Sequence, residues 1–203
     1  EYQSGVAWPS PRFIDHQNGT VTDLLTGLMW TKDGNTPGIT GIDDCPGGGV
    51  AGWNIFKYIK CLNNNNFLGY KNWRLPNRNE LSTLVDYSKK FPALPQGHPF
   101  TGYGWWTSTT NSNNPWSLHT VSIDQAGTTG FLNRDNGGSL WPVRSTGQGV
   151  YHLPQTGQSK CYNTDSGVEI PCDGTTGQDG DLRSGIPWPS PRFNIAGNCI
   201  FDN

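Results

Sequence analysis

The chain has 203 residues, a formal net charge of -2 and only 15% charged residues, with 27 Gly, 15 Pro and 9 Trp. That length can bury a real core, and so many aromatics with so little charge exclude a disordered chain. The slightly acidic balance excludes an electrostatic footprint for nucleic acid, and no apolar run approaches the ~20 residues of a membrane span.

In chain order, the phrase "SGVAWPSPRF" opens at Ser4. The start at Glu1, a few residues ahead of a structured phrase, is expected of a mature, processed product. Residues 12–32 follow as short strands, with Asn18-Gly19 as the hairpin signal between Phe13-Ile14 and Thr20-Val21. Residues 34–52 form a Gly-rich loop. Trp53, Phe56, Ile59 and Leu62 then recur on one helical face, ended by "NNNN". Lys57/Lys60 and Lys89/Lys90 are basic pairs expected on solvated surface. Pro76 holds Trp73-Arg74-Leu75 extended. Asn77 with Glu80 three residues on predicts a capped second helix, with Leu81, Leu84 and Val85 buried and Arg74 bridging loop carbonyls. After "FPALPQGHPF" come "GWWTSTT", "WSLHTVSI", "TGFLNRD" and "LWPVRS", strands punctuated by Gly, Asn and Asp. Strands, two helices, then a run of strands predict an α+β domain of antiparallel sheet.

Four blocks carry a family likeness: "GTVTDLLTGLMWTKD", "GYKNWRLPNRNELSTLVDYS", "FTGYGWWTSTT" and "LWPVRS". In order and spacing they resemble the C-terminal domain family of the Legionella collagen-like protein, from about Arg12 to Ser145. The resemblance implies a C-type-lectin-like fold with two helices and loop-rich antiparallel strands, in a bacterial surface or secreted protein. It implies an adhesion or ligand-binding role, and it supplies no catalytic residues. The expected organisation is a domain over residues 1–148 and a C-terminal extension over 149–203.

Cys161 and Cys172 bracket a short loop with a turn at Asp165-Ser166-Gly167, and a local disulfide is expected there. Cys45 and Cys61 flank the Gly-rich loop and the first helix and could also pair, which leaves Cys199 odd. Pairing points to an oxidising, extracellular compartment; buried free thiols are the alternative. No cysteine pattern is that of zinc or haem.

Trp105 and Trp106 are adjacent on a strand and are expected to face opposite sides, one into the core and one outward as a platform for a sugar ring or a partner surface. Trp116, Asn111 and Asn113 in the polar loop that follows are the other candidate ligand-binding residues. Asp173, Asp179 and Asp181 lie among glycines, so calcium is chemically allowed there, without the spacing of an EF-hand. Otherwise no cofactor is expected. His16, His98, His119 and His152 are scattered and no nucleophile motif is present, so the chain is read as no enzyme. The third-ranked alternative is an enzyme of unknown reaction.

"SGIPWPSPRF" at Ser184 repeats the opening phrase, placing Trp188 on Trp8 and Arg192 on Arg12. "NCIFDN" can be laid on "GTVTDL", with Cys199 at Thr20 or close by. The chain is either the start of a tandem array or ends in a segment that docks as a domain-entry clasp. The second reading makes Trp8, Phe13, Trp188, Arg192, Phe193 and Cys199 assembly residues. The expected partners are copies of the chain head to tail and a glycan or other cell-surface ligand. The alternative is a purely structural subunit of an extracellular filament.

Overall fold

The computed structural model describes residues 5–35, 55–133, 138–197 and 199–202. Cys45 and Trp53 fall outside the described residues. The first strands are β1 (Phe13–Asp15), β2 (Thr20–Asp23) and β3 (Leu28–Thr31), followed by helices α1 (Ile55–Asn64) and α2 (Arg78–Ser82). Then come β4 (Trp106–Thr110), β5 (Ser117–Ser122), β6 (Thr128–Asn133) and β7 (Val143–Ser145). The extension adds β8 (Cys161–Tyr162), β9 (Glu169–Ile170), α3 (Asp179–Leu182), β10 (Phe193–Ala196) and β11 (Cys199–Asp202).

The named strands pair antiparallel, in sheets β1-β2-β3-β7, β4-β5-β6, β8-β9 and β10-β11. This is the mixed α+β class that the element order predicts, with few and short helices. β7 returns to the start of the domain and pairs with β3, Trp30 opposite Val143. One core cluster gathers Val21, Trp30, Leu84, Phe100, Trp141 and Val143 between the first sheet and the turn after α2. A second packs α1 against Leu75, Trp106, Leu118 and Leu140. The Trp141 indole donates to the Thr31 carbonyl at 2.9 Å, so the largest side chain at the seam also meets its polar need.

Helix α1 buries Ile55, Tyr58, Ile59 and Leu62, with Phe56 packed at the margin. The buried stripe is wider than a strict every-third-residue row and takes both i+3 and i+4 neighbours, which the fixed spacing from Trp53 does not anticipate. Helix α2 begins as expected. Glu80 N–H donates to Asn77 Oδ1 at 2.9 Å and Asn77 N–H donates to Glu80 Oε2 at 2.8 Å. The helix is only five residues long, so Leu84 and Val85 are buried from the turns that follow it.

Arg74 departs from its expected role. Its guanidinium forms a fork on the Glu80 carboxylate, with both contacts at 2.7 Å, and only one further bond reaches a carbonyl, that of Leu75. The Glu80 carboxylate in the first turn of α2 matches the planar guanidinium better than scattered carbonyls do.

The extension leaves the domain through a close crossing. Gly27 has a φ of +68°, and a Cβ there would meet Gly149 N at 2.4 Å; a Cβ at Gly149 would meet the Thr26 carbonyl carbon at 2.3 Å. Both positions need glycine, since any side chain would collide with backbone. Tyr151 N–H then donates to Leu25 O at 2.8 Å, so the extension starts anchored to the β2–β3 turn.

Candidate functional site

The two copies of the repeated phrase fold into the same local device. In the first, Arg12 lies over the Trp8 ring at 4.7 Å and the Phe13 ring at 4.9 Å. Its Nε and Nη2 donate to Asp23 Oδ1 and Oδ2 at 2.9 and 3.0 Å, across the end of the β1–β2 hairpin where Phe13 faces Asp23. In the second, Arg192 lies over Trp188 at 4.5 Å and Phe193 at 4.9 Å. Its Nε and Nη2 donate to Asp202 Oδ1 and Oδ2, both at 2.8 Å, where Phe193 faces Asp202. The peptide before the last proline of the phrase is cis in both. An arginine between two rings and a carboxylate combines a fork of charged hydrogen bonds with cation–π contact.

The registers fix the correspondence. Phe13 to Asp23 spans 23 − 13 = 10 positions and Phe193 to Asp202 spans 202 − 193 = 9, so the second loop is one residue shorter. Counting back from the aspartates, Val21 corresponds to Ile200, Thr22 to Phe201 and Thr20 to Cys199. The loose overlay of "NCIFDN" on "GTVTDL", with Cys199 at Thr20, is the alignment the strands adopt.

Their surroundings differ. Asp23 also accepts from Leu25 N–H at 3.1 Å and from the Thr26 hydroxyl at 2.9 Å, and Arg12 Nη2 reaches the Thr83 carbonyl at 2.7 Å. β2 is covered by β3 along its outer edge, and Phe13 meets the Phe100 ring edge-on at 5.1 Å. Val21 is therefore 0% exposed, whereas its counterpart Ile200 is 70% exposed. Phe193, Ile195 and Phe201 are exposed as well. Among the described residues no strand pairs with the outer edge of β11. Trp8 and Trp188 are alike, 45% and 46% exposed, because each sits on the outer side of its clamp. Cys199 is free and exposed. The Arg192 hydrogen bond holds the Asp202 carboxyl below the usual carboxylate range, and Asp202 in turn raises Arg192.

The base of the second hairpin is held by the disulfide-bearing part of the extension. Trp188 Nε1 donates to Gln155 O at 2.9 Å, and Ile186 bridges residues 153–155 through bonds to Leu153 O and from Gln155 N–H. Cys161 and Cys172 are bonded to each other, as the spacing predicts. Cys61 is also disulfide-bonded, and Cys45 lies outside the described residues.

This part docks on β4 through buried polar groups. Gln158 exchanges two hydrogen bonds with the Thr110 backbone, at 2.7 and 2.8 Å. The Asp179 carboxylate accepts from the Thr109 and Thr156 hydroxyls at 2.7 and 2.6 Å. Burial raises the Asp179 pKa, because desolvation outweighs those two hydrogen bonds. Nothing in the sequence singles out Thr109 or Thr156 as its partners.

The candidate calcium carboxylates do not converge. Asp179 faces Thr109 and Thr156, Asp181 accepts from the backbone of Gly174 and Thr176, and Asp173 accepts from Thr175. Among the described residues the one group of three ligand-type side chains is Cys161, Cys172 and Asp181, and its two thiols are joined as the disulfide.

The candidate ligand residues separate. Trp106 is fully buried in the second core cluster, and Trp105, just before β4, is partly buried against the same cluster. Trp105 lines an open cleft of about 370 Å³ with Thr120, Ser122, Asp124, Thr129 and Phe131. Trp116 is half-exposed and lies against Gly167 of the extension. Asn111 and Asn113 bond within their own loop, Asn111 to Ser117 and Asn113 N–H to Asn111. They do not reach the cleft lining. Burial lowers the pKa of His98, and burial with the Arg78 charge lowers that of His119.

No curated protein and no solved structure matches the chain. No helix among the described residues is long and apolar enough to cross a membrane. The model of the Lcl C-terminal domain matches residues 19–144, from the hairpin turn before β2 into β7, and the chain belongs to that family.

Proposed function

We propose that the chain is a non-enzymatic, extracellular bacterial surface protein of C-type-lectin-like fold that assembles head to tail through its terminal segments and binds a surface ligand. Family membership supports the bacterial surface setting, and the disulfides suit an oxidising compartment. The observation that carries the assembly reading is the second hairpin, clamped like the first and left with Phe193, Ile195, Ile200 and Phe201 in water. Clustered exposed apolar side chains on a free strand edge mark an interaction surface. Sedimentation velocity tests it. The intact chain should form concentration-dependent assemblies, and a chain lacking residues 183–203 should remain a folded monomer. A strictly monomeric intact chain at all concentrations would remove the assembly reading.

The Trp105 cleft favours ligand binding over a purely structural subunit, because an aromatic face beside threonine and serine hydroxyls suits a sugar ring. The low basic content argues for a neutral glycan rather than a sulfated one.

A further inference from the structure

We infer that β10–β11 of one copy seats on β3 of a second copy, in the place that the second copy's own β1–β2 hairpin occupies in the isolated chain. This rests on the assembly reading above and names its surface. The warrant is the correspondence of the two hairpins. A hairpin that reproduces the Trp–Arg–Asp clamp, the cross-strand register and the apolar position at Val21 is preformed for the surface that receives β1–β2.

That surface consists of the β3 edge, the Phe100 ring and the Thr83 carbonyl, which accepts from Arg12. In its own chain it is filled by β1–β2. The occupant is therefore the β10–β11 hairpin of another copy, and the receiving copy has released its own first hairpin, an exchange of equivalent elements.

The pairing of β2 with β3 gives the exchanged register. Thr20 faces Thr31, Val21 faces Trp30, Thr22 faces Met29 and Asp23 faces Leu28. In the exchanged assembly Cys199 therefore faces Thr31 of the second copy, Ile200 faces Trp30, Phe201 faces Met29 and Asp202 faces Leu28.

The chemistry decides the direction of the exchange. Contacts common to both hairpins cancel. What remains is Ile200 for Val21, one methylene more, and Phe201 for Thr22, an aromatic ring seated against the Met29 thioether. Against it stands the Lys32–Asp15 ion pair at 2.7 Å, which is not reproduced because Ile195 takes the Asp15 position. A part-exposed ion pair contributes less than the burial of a phenyl ring. Opening is local, since β2 passes to β3 through the short turn at Leu24–Gly27. Each copy offers one hairpin and one receiving strand, so the contact is heterologous and makes a closed ring or an open filament.

The test places a thiol at the facing position. Full-length chain carrying Thr31→Cys is assembled, oxidised and run without reductant. The expected result is a ladder of covalent multimers joined through Cys199, absent when Cys199→Ser is added. Assemblies that form yet give no ladder overturn the exchange while leaving the assembly reading standing; absence of assemblies in the unmodified chain overturns both. The paired arginines give a second readout that does not depend on the buried Thr31 position. Arg192→Ala should weaken assembly by about tenfold, and Arg12→Ala, which loosens the resident hairpin, should strengthen it. Arg192→Ala with undiminished assembly overturns the exchange.

Discussion

The β1–β2 and β10–β11 hairpins carry nearly the same clamp and meet opposite fates. One forms the edge of a four-stranded sheet with its β2 strand buried throughout; the other stands with its apolar side chains in water. The comparison separates two sources of structure that are usually confounded. Local sequence alone sets the arginine between its two rings and the fork onto the aspartate, since both copies form it. Burial comes from elsewhere, from β3, Phe100 and Thr83, which only the first copy has. A clamp that forms without its surroundings is a preorganised element, and preorganisation lowers the cost of any later docking.

The sharpest way to break the comparison is to remove each arginine and follow melting of the monomeric domain. Arg12→Ala leaves Asp23 buried without its guanidinium, and loss of one partner of a buried pair costs about 3–5 kcal/mol. Arg192→Ala should leave the main transition where it is. Equal shifts from the two would show that the hairpins are equally coupled to the core.

A smaller effect comes from truncating the matched apolar positions. Val21→Ala opens a void in the first core cluster and should cost about 2 kcal/mol in chemical denaturation. Ile200→Ala, at the exposed counterpart, should leave monomer stability unchanged and appear only in assembly. A destabilised monomer from Ile200→Ala would mean that the second hairpin already packs on its own chain.

The smallest expected effects are of pH, and the extension contains both signs. The Asp179 pKa is raised in the fold, so protonation favours docking on β4: its contribution is fullest below the ordinary carboxylate value of 3.8 and is lost as pH rises through the folded value. Asp202 is lowered, so its clamp is intact above 3.8 and is lost as pH falls through the folded value. Limited proteolysis of the extension and Trp188 fluorescence should therefore move in opposite directions on acidification. Asp179→Asn should flatten the first profile and leave the second. Parallel profiles would refute the assignment.

What the sequence disclosed follows the reach of each interaction. The Asn77–Glu80 cap, the Cys161–Cys172 bond and the strands on either side of the helices were legible because their determinants lie within a dozen residues. So was the doubled phrase, since its clamp is built from neighbours. The Arg74–Glu80 fork was missed although only six residues separate the partners, because carbonyls and carboxylates compete for the same donor and spacing does not rank them. Asp23 and Asp202 were missed as clamp partners; the signal was an aspartate ten or eleven residues after each phrase's arginine. Which face of Trp105-Trp106 is buried, and the docking of Asp179 on Thr109, depend on contacts far apart in sequence. Periodicity carries no information on those.

The short parallel bridge between residues 153–155 and Ile186 has a mechanical consequence. The chain enters this bridge from the domain side at Leu153 and leaves it past Ile186 toward the second hairpin. Tension between the domain and a docked hairpin therefore pulls parallel segments from opposite ends, so the bonds Ile186 N–H to Leu153 O and Gln155 N–H to Ile186 O are loaded together in shear rather than peeled one after the other. The thirty residues between Gln155 and Ile186 are themselves tied to the domain, by Gln158 and Asp179 on β4 and by the Ser184 carbonyl on Asn77, so they form a second load path beside the bridge, and the Cys161–Cys172 bond keeps the loop it closes from paying out.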